Sequence, residues 1–303
     1  ARFGGEKYFA FPAPRAFAGE TRRSMRRFRL SDTKARAILA LAEAFSGGAL
    51  SEAAALARRI LEVALGAAQP VRAFYRQLGD DPVIGPSIRD FPGLRGAGVP
   101  SLWEALVTAI LAQQVNLRFA YDIRRELSET FGRRARFGGE KYFAFPAPRA
   151  FAGETRRSMR RFRLSDSKAR AILGLAEAFA SRGHVEADIA ALDDEAAIER
   201  LTSFRGGGRW TAEIGLLRGL GRMDVFPAAD LGVVKYLAQG LLGRRVRAKE
   251  EDMRRWAERW RPWRGLALVY GYAELNRRTA APARPASPPA RPPARGSARP
   301  RRG

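Results

Sequence analysis

Apolar residues recur at helical spacing through most of this chain, and the strict alternation expected of β-strands is nearly absent. The clearest case follows Ser101, where Leu102, Leu106 and Ile110 fall on one helical face. Ser101 and Glu104 also match the S-x-x-E pattern of a capping box, in which each side chain bonds the backbone N–H of the other residue. The pattern therefore predicts a helix that begins at Leu102.

Similar periodicity predicts further helices between residues 46 and 278, separated by turn signals such as Gly132 and Phe226-Pro227. The expected helices lie at about 51–65, 117–131, 147–160, 166–181, 194–203, 210–220, 231–242, 249–260 and from about 264 onward. About ten helices with almost no strand pattern predict an all-α domain.

Both ends of the chain differ from this helical core at 46–278. Residues 1–45 repeat residues 135–179 with two differences, Thr33 for Ser167 and Ala40 for Gly174. We interpret residues 1–45 as a partial duplicate, of uncertain fold and without a function of its own. Residues 279–303 are rich in Pro, Ala and Arg and contain no acid and no large apolar residue, which predicts a disordered basic tail.

The charge balance of the chain points to a polyanionic partner. The chain has 55 Lys and Arg against 31 Asp and Glu, a formal net charge of +24, and the core keeps +12 after +6 is removed for each end. Nucleic acid is the first partner that this charge suggests, and an anionic membrane surface is the second. With no cysteine and one histidine, an iron–sulfur cluster, a thiolate zinc site, a multi-histidine metal site and a Cys nucleophile are excluded.

No stretch of the sequence approaches the roughly 20 apolar residues of a transmembrane helix. The N-terminal residues also lack the apolar region of a secretion signal. We therefore expect a cytoplasmic protein with no membrane partner.

The segment from 193 to 236 contains most of the candidate functional residues. Gly206 and Gly208 lie between two predicted helices, and Arg205 and Arg209 flank them. Glycine allows positive φ at low cost and leaves backbone N–H groups open to a ligand, and the start of the following helix adds further free N–H groups. These features predict a helix–hairpin–helix at about 194–220 that binds DNA phosphate, although a helix end followed by a flexible turn would read similarly.

Three ordered motifs resemble those of one family. F-R-G-G-G-R-W-T-A followed by G-L-G-R-x-D-x-F-P-A-x-D-L-G resembles the helix–hairpin–helix/Gly-Pro-Asp DNA glycosylase superfamily, and most closely its 3-methyladenine DNA glycosylase II family. A-I-L-A-Q-Q-V at 109–115 and A-E-R-W-R-P-W-R at 257–264 resemble the wedge segment and the C-terminal signature of that family. The resemblance covers about 70–275 and implies a helical DNA glycosylase core of two subdomains.

The resemblance also implies roles for single residues. Asp230 occupies the position of the catalytic aspartate, while Trp210, Tyr272 and Ile214 occupy base-pocket positions. Gln114 stands where the family inserts a wedge into the gap left by a flipped nucleotide. Without the resemblance, helix capping for Asp230 and a polar helix position for Gln114 remain open readings.

The hairpin residues are placed by the same resemblance. It assigns phosphate binding to Gly206 and Gly208 and implies that the hairpin carbonyls hold Na⁺ or K⁺. We expect Arg205 and Arg209, which flank the glycines, to bind phosphate too. We expect no metal bound by side chains and no other cofactor. Two departures weaken the match: Arg205 replaces a usual proline and Gly207 a usual hydrophobic residue. A third is Ile214, which replaces a frequent pocket tyrosine and leaves the base preference open.

The function expected from these residues is base excision repair of DNA. Trp210 stands where lyases of the superfamily carry a Schiff-base lysine, and an indole cannot form an imine, so a monofunctional hydrolase of alkylated purines such as 3-methyladenine is implied. The expected partner is double-stranded DNA with damaged bases, bound by a monomer associated with the nucleoid. The alternatives are a non-catalytic helix–hairpin–helix DNA-binding protein and a bifunctional glycosylase/lyase acting on oxidised bases.

Overall fold

The structure is a computed structural model that describes residues 2–3, 6–7, 21, 39, 58, 60–137, 139–181, 184–240, 243 and 248–280. Most of the repeat at 1–45, the first part of the predicted helix at 51–65 and the predicted tail beyond residue 280 lie outside these ranges.

The described residues are mainly helical, and no helix among them has the length and apolar character needed to cross a membrane. The α-helices are α1 Val71–Leu78, α2 Gly85–Asp90, α3 Leu102–Ala112, α4 Leu117–Phe131, α5 Arg156–Met159, α6 Asp166–Ser181, α7 Val185–Ala191, α8 Asp194–Thr202, α9 Arg209–Gly219, α10 Ala238–Gly240, α11 Glu250–Ala257 and α12 Arg264–Ala280. A π-helix, Gly232–Leu237, precedes α10, and 3-10 turns occupy Pro148–Phe151, Arg160–Phe162 and Glu258–Trp260. The all-α prediction is confirmed.

Helix starts follow the capping chemistry of the sequence. The Ser101 side chain accepts the Glu104 N–H at 3.2 Å, as predicted, but the Glu104 carboxylate bonds Arg124 instead of returning to Ser101. The capping box is therefore only half formed, because an ion pair to α4 competes for the glutamate.

The single helix predicted at 147–160 is wrong. The chain forms the 3-10 turn Pro148–Phe151, passes through Gly153 at φ +83, and restarts as α5, capped by the Thr155 side chain on the Ser158 N–H. The prediction of one continuous helix overlooked that Gly153, at positive φ, interrupts the ladder of backbone hydrogen bonds, whereas Pro148 stands at the start of the 3-10 turn, where proline is tolerated.

The strands of the described residues form two short hairpins, which the sequence did not predict. β1 Arg2–Phe3 pairs antiparallel with β2 Glu6–Lys7, and β3 Arg134–Phe137 pairs antiparallel with β4 Glu140–Phe143. Apart from Arg134, both lie in the repeated segment, and the residues they share have the same register. In the turn between β3 and β4, Gly139 adopts φ +80, a conformation that two-residue hairpin turns favour.

The helices enclose two hydrophobic cores, which confirms the prediction of two subdomains. The first core is built by α3, α4 and α6–α9, and the second by α1, α2, the π-helix, α11 and α12. In the first core Gly215 lets α9 pack tightly on α3, since a Cβ at this position would lie only 2.5 Å from Leu106 Cδ2. Close packing of these two helices aligns the start of α9 with the end of α3, where the predicted functional residues lie.

Candidate active site

The Asp230 carboxylate lies in the loop between α9 and the π-helix and is held by three donors. The indole Nε1–H of Trp210 donates to Oδ2 at 2.9 Å. The Tyr272 hydroxyl and the Gly232 N–H donate to Oδ1 at 2.6 and 2.8 Å. Because the three donors come from α9, α12 and the π-helix, both carboxylate oxygens are fixed in direction.

Asp230 also caps the helical segment that follows it. Its carboxylate accepts the Gly232 N–H, and its carbonyl accepts the Val233 and Val234 N–H groups at 2.9 Å each. The capping interpretation of this residue is therefore confirmed. Capping leaves the carboxylate only partly buried beside two predicted pocket aromatics, an arrangement that is compatible with chemistry at the same group.

Glycine at 232 makes room for the Tyr272 ring. A Cβ at this position would lie 2.5 Å from the Tyr272 hydroxyl and 2.7 Å from its Cε1 atom. Burial, and then the adjacent Asp230 charge, raises the pKa of Tyr272 well above its ordinary value. The phenol therefore stays protonated and acts as a hydrogen-bond donor to the carboxylate.

The predicted pocket residues are only partly brought together. Trp210 and Tyr272 both touch Asp230, which links positions 20 and 42 residues away in the chain. Ile214 lies one helical turn after Trp210 on α9 and is partly buried, so it shares the Trp210 face of the helix.

The glycine hairpin connects α8 to α9. Gly206 adopts φ +86, and a Cβ there would lie 2.2 Å from the Ala171 Cβ of α6. Gly208 instead precedes α9 in an extended conformation, with φ −79 and ψ 167, and nothing lies within 4 Å of a Cβ built on it. Positive φ is therefore confirmed for Gly206 and wrong for Gly208, because a residue that precedes a helix normally takes β-region angles.

This difference gives a matched pair of variants. Gly206→Ala is expected to destabilise the protein by more than about 1 kcal/mol, because it adds both an unfavourable φ and a clash with Ala171. Gly208→Ala has space and an ordinary φ, so its effect on stability should stay within about 1 kcal/mol, the range for an uncapped helix start. Urea unfolding of both variants measures the contrast, and equal destabilisation would contradict it.

The two arginines that flank the hairpin differ. Arg205 is exposed, whereas the Arg209 guanidinium bonds both Glu195 oxygens at 2.8 Å and Glu213 Oε1 at 3.0 Å. No side chain caps the first N–H groups of α9. An anion could therefore reach the start of α9 and Arg205 directly, while Arg209 would first have to leave Glu195.

Gln114 lies on the exposed turn between α3 and α4 with φ 54, an uncommon conformation for a residue other than glycine. Its reading as a polar helix position is wrong, since α3 ends at Ala112. The neighbouring Gln113 bonds Thr211 Oγ1 at 2.9 Å, so the turn is tied to the first turn of α9.

Lys168 supports this turn and was missed by sequence reasoning. Its ammonium donates to the carbonyls of Leu111 and Gln113 at 2.8 Å each, and its partial burial lowers the pKa of Lys168. Ala171, three residues later on α6, is the side chain against which Gly206 packs. One helix therefore contacts both the turn that carries Gln114 and the glycine hairpin, a link that no local sequence pattern signals.

The loop that carries Asp230 rests on a second set of ion pairs that the sequence did not reveal. Arg264 Nε and one terminal nitrogen bond the two Asp224 carboxylate oxygens at 3.0 and 3.1 Å, and Arg261 bonds Asp224 at 2.9 Å. These arginines belong to the W-R-P-W-R signature. The W-R-P-W-R motif therefore holds the loop that carries Asp230 in place through its ion pairs to Asp224.

Within the described residues, no cluster of three or more His, Asp or Glu side chains could hold a metal ion. The carbonyl of Gly208 accepts the Ala212 N–H at 3.1 Å and so forms the first backbone hydrogen bond of α9.

Comparison with known proteins relates this chain to base excision DNA repair proteins. The family described as HhH-GPD superfamily base excision DNA repair protein matches residues 107–262. The chain is 30% identical over 197 residues to a DNA-3-methyladenine glycosylase of Bacillus subtilis and 34% identical over 179 residues to DNA-3-methyladenine glycosylase 2 of Escherichia coli. These matches cover 65% and 59% of this chain.

The chain spans 65% and 60% of the length of those two relatives, less than two thirds of each. Among solved structures, a 3-methyladenine DNA-glycosylase from Archaeoglobus fulgidus superposes with a TM-score of 0.64 at 30% identity. That superposition covers 73% of this chain and 74% of the other.

Proposed function

Since the chain belongs to the HhH-GPD superfamily of base excision DNA repair proteins, we propose that it is a monofunctional DNA glycosylase that hydrolyses the N-glycosidic bond of alkylated purines such as 3-methyladenine. The observation that carries this proposal is the Asp230 carboxylate, held by Trp210, Tyr272 and the Gly232 N–H. The relatives whose names record this activity support the choice of substrate.

The proposed reaction begins with extrusion of the damaged nucleotide, because a base inside a duplex cannot reach an enzyme pocket. Gln114 is the side chain proposed to fill the gap, since it is exposed on a turn braced by Lys168 and by Gln113. The hairpin N–H groups and Arg205 are proposed to hold the DNA backbone near this point.

An alkylated purine such as 3-methyladenine is cationic, which suits it to the electron-rich faces of Trp210 and Tyr272 and makes it a good leaving group. Departure of the base needs no general acid and leaves positive charge on the sugar. The Asp230 carboxylate stabilises that charge or accepts a proton from the attacking water, and its three hydrogen bonds hold it ready before the reaction.

Hydrolysis without strand cleavage is proposed because the position of a Schiff-base lysine holds Trp210, whose indole N–H is engaged by Asp230. The nearby Lys168 directs its ammonium to two backbone carbonyls. Neither residue offers a free amine to the sugar.

The proposal also covers a bound cation, the oligomeric state and the cellular location. We place a Na⁺ or K⁺ ion at the hairpin carbonyls, where it would neutralise part of a bound phosphate. With damaged duplex DNA as its partner, the protein would act as a monomer on the nucleoid in the cytoplasm.

A panel of duplexes tests the proposal, each with one alkylated, deaminated or oxidised base. Excision of the alkylated purines without strand cleavage is expected, as measured by release of free base and by gel analysis before and after alkali. Borohydride should trap no enzyme–DNA adduct. Binding without release of any base would favour the non-catalytic alternative, and a trapped adduct with oxidised bases would favour the bifunctional one.

A further inference from the structure

The β3–β4 hairpin carries three cations on one face. Successive residues of a strand point to opposite faces, so Arg134 and Arg136 share a face, and the register places Lys141 opposite Arg136. All three residues are exposed. Glu140 lies at an alternate position and points to the other face.

Like charges directly opposite each other in an antiparallel pair destabilise it. None of the ion pairs between described residues involves Arg134, Arg136 or Lys141. The hairpin therefore keeps a repulsive pair on an exposed face, and no acid among the described residues forms an ion pair with either cation. An external anion would relieve this repulsion, since it could be shared by Arg136 and Lys141.

The hairpin lies well beyond the turn that carries Gln114. Helix α4 has 15 residues and connects the two, which at about 1.5 Å per residue separates them by about 22 Å. At about 3.4 Å per base pair this distance corresponds to about six base pairs of duplex. Arg134 and Arg136 are themselves spaced by about 6.8 Å along the strand, so they can reach two different phosphates.

We propose that the Arg134–Arg136–Lys141 face is a second nucleic-acid contact, which binds the phosphate backbone of the duplex about six base pairs from the damaged base. It is separate from the glycine hairpin at Gly206, and its choice of ligand rests on the proposed function. The β1–β2 hairpin repeats the register with Arg2 opposite Lys7, so the same cation pair is encoded twice in the chain.

The test compares two triple variants of the full chain. The first is Arg134→Ala/Arg136→Ala/Lys141→Ala. The control is Arg72→Ala/Arg76→Ala/Arg255→Ala. It removes the same charge from exposed positions on α1 and α11, two helices whose buried faces belong to the second core. Affinity is measured against salt concentration for an abasic duplex of 30 base pairs and for one of 10 base pairs centred on the lesion.

The hairpin variant should lower the salt slope on the long duplex by about 2–3, because each lost phosphate contact removes about 0.9. It should match the parent on the short duplex, which does not extend to the hairpin. Equal slope changes in both triple variants, or equal changes on both duplexes, would overturn the proposal. Stronger loss of binding to anionic phosphatidylserine vesicles than to DNA would overturn it in favour of a membrane contact.

A single substitution tests the proposal in a variant whose β3–β4 hairpin should still form. Lys141→Glu places opposite charges across from each other, which should favour the β3–β4 pairing while it weakens binding to the long duplex. Unchanged long-duplex affinity in this variant would also contradict the proposal. Excision of alkylated purines from the short duplex is assayed in parallel, so failure of the proposed chemistry in the parent protein is distinguished from failure of this surface.

Discussion

Asp230→Asn is expected to lower the rate of base excision by about 10²–10³ or more, because it removes the negative charge that we propose faces the developing cation on the sugar. The two side chains have nearly the same shape, so the packing around Trp210 and Tyr272 should persist. Asparagine keeps one oxygen to accept from Tyr272 and the Gly232 N–H, and it loses the acceptor that now faces the Trp210 indole.

Single-turnover excision of a methylated purine measures this effect, and the affinity of the variant for an abasic duplex should remain close to that of the parent. Tyr272→Phe is the matched control, since it removes one hydrogen bond to the carboxylate and leaves the charge in place. Its loss of rate should be clearly smaller. Parent-like excision by Asp230→Asn would refute the assignment of this carboxylate.

Arg254→Met is expected to destabilise the protein by somewhat less than the roughly 3–5 kcal/mol that removal of one partner from a fully buried ion pair costs, because Arg254 is 26% exposed and Arg209 still bonds Glu213. The Glu213 side chain is 1% exposed, and its Oε1 atom bonds Arg254 at 2.8 Å and Arg209 at 3.0 Å. Its Oε2 atom is buried without a partner. The variant would leave this carboxylate with Arg209 alone, which is also drawn toward Glu195.

The loss of folding stability in Arg254→Met should depend on pH. Burial raises the pKa of Glu213 and the two arginines oppose that rise, so removing Arg254 raises the pKa further. A carboxyl whose pKa is higher in the folded chain contributes stability below its unfolded pKa of about 4.3, and this contribution is lost as pH rises through the folded pKa. The deficit of Arg254→Met should therefore be smaller at about pH 4 than at about pH 8.

Urea unfolding of parent and variant at the two pH values measures this dependence. The matched control is Arg255→Met, since the Arg255 side chain is 79% exposed and pairs with Asp252 on the surface. Its removal should cost less than about 1 kcal/mol. Equal deficits of Arg254→Met at both pH values would show that Glu213 is not the group left uncompensated.

Helices with a long, regular apolar pattern were predictable from the sequence, and short ones were not. The predicted ranges 117–131 and 166–181 coincide with α4 and α6. Helices α1, α2 and α7 have eight, six and seven residues and were missed, because so few turns show little periodicity. The β3–β4 hairpin was missed for the same reason, although its paired glycines are a signal that could have found it.

The sequence by itself determined the helical character of the core, its basic charge and the absence of an amine at Trp210, because each depends on residue type or on neighbours within a few positions. Only the tertiary structure decided that Trp210 and Tyr272 meet at Asp230, that Arg209 is engaged by two glutamates, and that Lys168 braces the turn that carries Gln114. Most of these contacts join residues tens of positions apart. Their formation follows from how α3, α6, α9 and α12 pack against one another, which local propensity does not encode.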